Sequence, residues 1–247
     1  MMNSRHYDSA CDVDQPLVDR LRRFPREPDM LVYGVRALIA LIIRGWLRVY
    51  HRFEIIGQEN LRTNRSLVIV ANHSSHLDTL CVLASLPLRK LHRAFPAAAA
   101  DYFFQSVPRT FVAAVVTNAL PFARRVRVRR SLSICSELLD DPENILIIFP
   151  EGTRSETGET REFKLGIGAL VAGRDVAVLP CYLEGAFRAW PKGRHLPRPK
   201  KSSTHCWGAS QLFVAQSKQD RYRHDRSGTA SRGEKTGRMQ WKRLSMP

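Results

Sequence analysis

Two short apolar runs do most to limit what this chain can become. Residues 67–71 read Leu-Val-Ile-Val-Ala, and residues 145–149 read Ile-Leu-Ile-Ile-Phe. Each is uncharged, rich in branched aliphatic side chains and too short for a helix, the pattern of a strand buried on both faces. Further strands are expected over 53–56, 93–97 and 176–183. Residues 79–86 predict a helix ended by Pro87. Over 131–139, Leu132, Cys135, Leu138 and Leu139 share one helical face. A short helix fits 167–172, between Gly166 and Gly173, while 111–119 is apolar without a clear period and leaves helix and strand both open. Strands alternating with helices predict a single α/β domain with a largely parallel sheet flanked by helices. A chain of 247 residues can bury a core of that kind.

The first run stops at Asn72-His73-Ser74-Ser75-His76-Leu77-Asp78. Ser74 or Ser75 can cap the helix that follows. His73 therefore sits where a strand gives way to a helix, the usual place for reactive groups in open α/β sheets. A histidine oriented by a carboxylate is standard equipment for a general base. On one continuous helix, five residues would leave the two side chains about 140° apart. They meet only if His73 lies in the turn and Asp78 opens the helix. Without that fold-back the pair is a surface His and an unrelated helix Asp.

The second run stops at Phe149-Pro150-Glu151-Gly152-Thr153-Arg154-Ser155. Pro150 and Gly152 force a turn, which puts Glu151 and Arg154 on a polar loop at a second strand end. An arginine there can grip a phosphate with two parallel hydrogen bonds.

In this order, the two segments resemble the glycerolipid acyltransferase family, whose best-known members are the 1-acylglycerol-3-phosphate (lysophosphatidate) acyltransferases. The family's H-x-x-x-x-D block is matched by His73 and Asp78, and its F-P-E-G-T-R-S block by residues 149–155. Residues 178–185, a strand with an internal Pro180, resemble a further block. Residues 120–125 resemble the family's aromatic-x-Arg segment, with Ala123 where an Asp is common, so Arg124 and Arg125 both remain open as its arginine. The resemblance covers about residues 53–199.

That resemblance implies transfer of a fatty acyl group from an acyl thioester to the sn-2 hydroxyl of lysophosphatidate. His73 would take the hydroxyl proton, and Asp78 would fix the imidazole tautomer. Arg154 would bind the acceptor phosphate, helped by Arg124 or Arg125 and by Lys164, which lies in a Phe-Lys-x-Gly-like stretch at 163–166. Glu151, Gly152 and Thr153 complete the binding turn. The donor is acyl-CoA or acyl carrier protein, the acceptor a lysophospholipid, and the place of action the cytoplasmic face of a membrane. Glycerol 3-phosphate or another lysolipid remains open as acceptor.

Neither a cofactor nor a metal is expected. His73 and His76 with Asp78 invite a metal reading, but the spacing is not that of His-Glu-x-x-His, and no other cluster supplies a third ligand. Cys81 falls within the apolar run of the predicted helix and reads as a core residue. The five cysteines are odd in number, far apart and without a Cys-x-x-Cys pair, which argues against a disulfide framework. The first residues are polar and acidic rather than signal-like.

Residues 30–50 are strongly apolar but carry Arg36, Arg44 and Arg48, which fall on one helical flank. The uncharged stretch between them is too short to cross a bilayer about 30 Å thick. An amphipathic helix lying on a membrane, with its apolar side chains inserted, fits better; a core helix is the competing reading. The expected organisation is a polar segment at 1–29, this helix at 30–50, the acyltransferase domain at 51–200 and a basic tail at 201–247. The chain carries +16 overall, and residues 198–247 alone hold 12 Lys and Arg against 3 Asp and Glu, or +9. So polar a segment cannot fold alone; it is a disordered lipid-binding tail or the product of a shifted reading frame. Charge of this size also suits a non-catalytic basic module, but no nucleic-acid motif is present and nucleic acid is not an expected partner.

Overall fold

The structure is a computed structural model that describes residue 24 and residues 29–61, 63–123, 128–164, 166–174 and 176–206. In chain order it runs through helix α1 (Met30–Tyr50), strand β1 (Glu54–Ile56), a 3-10 turn (Gln58–Leu61), β2 (Leu67–Ala71), α2 (Asp78–Ser85) and a second 3-10 turn (Leu88–Arg93). Then come β3 (Ala94–Ala99), α3 (Ala100–Phe103) and α4 (Val107–Phe111), which widens into a π turn (Val112–Val116). The rest is β4 (Leu120–Phe122), α5 (Val128–Asp140), β5 (Ile145–Ile148), α6 (Gly166–Val171), β6 (Ala177–Glu184), α7 (Ala186–Ala189) and β7 (Ser203–Cys206).

Seven strands form one sheet in the order β1-β7-β6-β2-β5-β3-β4. Neighbours from β6 to β4 are all parallel, and only the β6–β7 pair is antiparallel. β2 lies inside the sheet, with Val68 in register with Leu146 of β5 on one side and Val178 of β6 on the other. All five of its residues are buried. Alternate side chains serve opposite faces, as the strand period requires. Leu67, Ile69 and Ala71 join a cluster with Leu47 of α1 and Cys81 and Val82 of α2. Val68 and Val70 join Cys135, Leu138 and Leu139 of α5. The α/β class and the largely parallel sheet expected from the sequence are what the fold shows.

The sequence left open which flank of helix α1 faces the domain. Asp29 caps it, its side chain accepting from the Leu31 and Val32 N–H groups at 2.9 and 3.2 Å. The flank bearing Arg36 and Arg44 faces the protein. Arg36 is only 4 % exposed and donates to the carbonyls of Val115 and Ala114 and to Asn118 Oδ1, at 2.9, 3.0 and 3.2 Å. Arg44 donates to the Leu86 carbonyl, at the end of α2. Carbonyls at the end of a helix lack intrahelical partners and carry partial negative charge, so a guanidinium suits them. Burial still lowers the Arg36 pKa to about 10. With Arg36 and Arg44 turned inward, Leu31, Leu38, Ile42 and Val49 are left 60–81 % exposed. At 21 residues α1 is long and apolar enough to cross a membrane by length and composition alone.

A second difference lies at the end of the domain. Residues 201–206 were expected to begin an unstructured tail, yet Ser203–Cys206 forms β7, paired with β6 and with β1. Strand pairing uses main-chain groups, so the edge of β6 can recruit a segment that lacks an apolar pattern. Gly185, at φ +77°, lets the end of β6 pass close under the Lys201 carbonyl on the way into β7. Residues 207–247 lie outside the described residues.

Candidate active site

Because β6, β2 and β5 are adjacent and parallel, their carboxyl ends come side by side. The loops leaving those three ends build the site, and both sequence motifs are among them. This is the crevice position typical of open parallel sheets.

Asp78 opens α2, and the chain before it folds back over its carboxylate. Asp78 Oδ2 accepts from the Ser74 and Ser75 N–H groups at 2.6 and 2.7 Å and lies 2.8 Å from His73 Nδ1. The carboxylate is wholly buried, while the His73 side chain keeps 22 % of its surface exposed. A carboxylate on Nδ1 selects the tautomer with the proton there, which leaves Nε2 as a proton acceptor. The imidazole is stacked on Phe149, with ring centroids 4.3 Å apart. Phe149 comes from the second motif, so the two segments meet at the His73 ring.

The expected serine cap takes a different form. The cap position is Leu77, which has no side-chain bond of that kind. Ser75 Oγ instead accepts from the Leu77 N–H at 3.1 Å and donates to the Trp190 carbonyl at 2.7 Å. The turn is closed by Asp78 reaching back, because one buried carboxylate can satisfy two main-chain donors as well as the ring.

Two further hydrogen bonds hold the His73 main chain, and the residue before it is anchored as well. Its N–H donates to Glu151 Oε1 at 2.8 Å, and its carbonyl accepts from the Ser155 N–H at 2.8 Å. The preceding Asn72 is buried, and its amide bonds both main-chain groups of Leu183 on β6, at 2.7 and 3.1 Å. Asn72 and Ser155 lie inside the two sequence segments, but the sequence assigned neither a role. The available signal was a polar amide directly after an all-buried strand, where an uncompensated amide would be costly.

The second motif forms a tight turn. Gly152 adopts φ +71°, and a Cβ there would meet Lys164 Nζ at 2.7 Å. The Lys164 side chain thus lies across the glycine, while its N–H donates to the Pro150 carbonyl at 3.0 Å. Glu151 is buried; desolvation pushes its carboxyl pKa up, and main-chain N–H bonds, that of His73 among them, oppose this. Thr153 follows in the same turn. Arg154 Nη1 lies 2.5 and 2.6 Å from the two ring nitrogens of His76, and burial lowers the guanidinium pKa.

The structure therefore gathers His73, Asp78, Glu151, Gly152, Thr153, Arg154 and Lys164 in one region. Arg124 and Arg125 lie outside the described residues, immediately after β4 and Ala123. Cys81 is 1 % exposed within the apolar cluster, and burial raises its thiol pKa, which keeps it in the unreactive neutral form.

Comparison with known proteins gives consistent matches. The family model described as Acyltransferase matches residues 52–184. A chloroplastic 1-acyl-sn-glycerol-3-phosphate acyltransferase of Arabidopsis thaliana is 31 % identical over 153 residues, covering 58 % of this chain and 39 % of its own. The human 1-acyl-sn-glycerol-3-phosphate acyltransferase beta is 28 % identical over 160 residues, covering 61 % and 55 %. The chain thus spans from about two fifths to just over half of these relatives. Among solved structures, the 1-acyl-sn-glycerophosphate acyltransferase PlsC of Thermotoga maritima is similar in fold, with a TM-score of 0.55 and 22 % identity over 83 % of this chain and 85 % of that one.

Proposed function

Since the chain belongs to the acyltransferase family, we propose that it moves a fatty acyl group from an acyl thioester to the sn-2 hydroxyl of lysophosphatidate, giving phosphatidate. One observation carries the reading: an imidazole with Nδ1 on a buried carboxylate stands next to a turn that presents Arg154 and Lys164. An alcohol is a weak nucleophile until a base takes its proton. His73 Nε2 accepts that proton as the oxygen attacks the thioester carbonyl carbon. A tetrahedral oxyanion forms and collapses, the carbon–sulfur bond breaks, and the departing thiolate takes the proton back from His73. The acyl group passes directly to the acceptor, so no acyl-enzyme and no cofactor are required.

Arg154 and Lys164 bind the acceptor phosphate, with Arg124 or Arg125 as a further cation. Glu151 shapes the turn by holding the His73 N–H. The donor is acyl-CoA or acyl carrier protein. The outward apolar stripe of α1 seats the protein on the cytoplasmic membrane face, which brings the site to its lipid acceptor.

Incubating the protein with a labelled long-chain acyl-CoA and lysophosphatidate in lipid vesicles, and resolving the products, tests the reading. Labelled phosphatidate supports it. Labelled free fatty acid would make the protein a hydrolase, acylation of glycerol 3-phosphate alone would change the acceptor, and no turnover by folded protein would leave a basic membrane-binding module.

A further inference from the structure

We propose that His76, as a neutral imidazole, is a positioning residue that holds the Arg154 guanidinium for the acceptor phosphate and so sets affinity for that substrate. This rests on the acyl-transfer reading above and assigns a role to a histidine that the reaction itself does not use.

Arg154 has three nitrogens to place. Nη1 lies against His76, while among the described residues no protein acceptor engages Nη2 or Nε. Those two nitrogens form the planar fork that binds a phosphate with paired hydrogen bonds. A free arginine side chain would have to be ordered when substrate binds, at a cost in affinity. An acceptor already holding Nη1 removes part of that cost.

His76 is itself firmly placed. Its N–H donates to the Trp190 carbonyl at 3.2 Å, and its ring leans on the Trp190 indole, with centroids 5.1 Å apart. The neighbouring Ser75 bonds the same carbonyl and bridges to Pro191. Trp190 follows α7, and its N–H donates to the Ala186 carbonyl at 2.9 Å. The support thus runs from the carboxyl end of β6 through Trp190 and His76 to Arg154.

Only the neutral ring can do this. Neutral imidazole offers one nitrogen as acceptor, whereas imidazolium offers none and adds a like charge beside the guanidinium. The charged groups facing His76 are Arg154, His73 and Asp78. Burial, then Arg154 and then His73, disfavour its protonation, and Asp78 alone favours it. Neutral His76 is therefore the form present at physiological pH.

The test is steady-state kinetics of the full chain and of His76→Ala and His76→Asn, with lysophosphatidate and a long-chain acyl-CoA varied in turn. Loss of one hydrogen bond predicts an acceptor KM raised on the order of tenfold in His76→Ala, with the thioester KM within about twofold. Asn can present its amide oxygen near the position of Nδ1, so His76→Asn restores most of the acceptor KM. As pH falls below the ordinary imidazole value and the ring protonates, the wild-type acceptor KM rises more steeply than that of His76→Asn, which lacks the titrating ring. The acceptor phosphate titrates equally in both and cancels from the comparison. Equal rises in both KM values, an unchanged acceptor KM, or identical pH profiles would each overturn the proposal. Should wild type form no phosphatidate at all, the acyl-transfer reading fails first, and the two failures are distinct.

Discussion

At the scale of single residues, Asp78 does three jobs with one oxygen. It holds the His73 ring and closes the turn through Ser74 and Ser75. Asp78→Asn keeps an oxygen acceptor but no longer enforces the Nδ1–H tautomer. We expect turnover to fall by about 10²–10⁴-fold, read as kcat with vesicle-borne lysophosphatidate, while circular dichroism stays native. Glu151 permits a prediction in pH. Burial raises its folded-state pKa above the ordinary carboxylate value. Between the unfolded and folded values, the native state therefore binds more protons, and this group's contribution to stability declines as pH rises through that window. Glu151→Gln keeps an acceptor for the His73 N–H but cannot titrate. Its melting temperature should gain on wild type as pH rises from about 4 towards 7; parallel curves would refute the assignment. The contact of His73 with Asp78 was one of two readings the spacing left open, and the resemblance of both segments to known blocks favoured it. Asn72 was not, because its partner is Leu183, more than a hundred residues away. The contact of Arg154 with His76 was equally hidden, since it joins two loops that meet only in the folded sheet.

At the scale of elements, α1 shows where a sequence pattern stops being informative. Its two flanks were visible in the spacing of Arg36, Arg44 and Arg48, but which flank faced the domain was not. That choice was made by carbonyls at 114–115 and at Leu86, which belong to other elements. Replacing Arg36 by Leu removes a charged donor from two buried carbonyls and from Asn118; we expect about 2–3 kcal/mol of destabilisation by urea titration. The outer stripe makes the opposite prediction. Leu38→Glu together with Ile42→Glu should leave the urea midpoint nearly unchanged and abolish co-sedimentation with lipid vesicles, because these side chains project away from the core. The π turn over Val112–Val116 was out of reach of periodicity, since it departs from the 3.6-residue spacing on which the helical pattern rests.

At the scale of the whole molecule, the parallel centre of the sheet was legible and its far edge was not. β2 and β5 are uniform apolar runs, as strands covered on both faces must be. β7 reads Ser-Thr-His-Cys and joins the sheet through main-chain pairing with β6 and β1. A chain ending before Ser203 strips that partner from both strands, whereas one ending after Cys206 retains it. The shorter chain should melt at a lower temperature and aggregate through the bared edge of β6. The sheet brings three strand ends together, so that His73 on one loop lies beside Arg154 and Lys164 on the next, as the proposed reaction requires. That central claim is met most directly by comparing wild type with His73→Ala in acyl transfer from a long-chain acyl-CoA to lysophosphatidate. Wild type should form phosphatidate, at a rate about 10²–10⁴-fold above that of a variant with a native melting curve. Undiminished turnover by His73→Ala would contradict it.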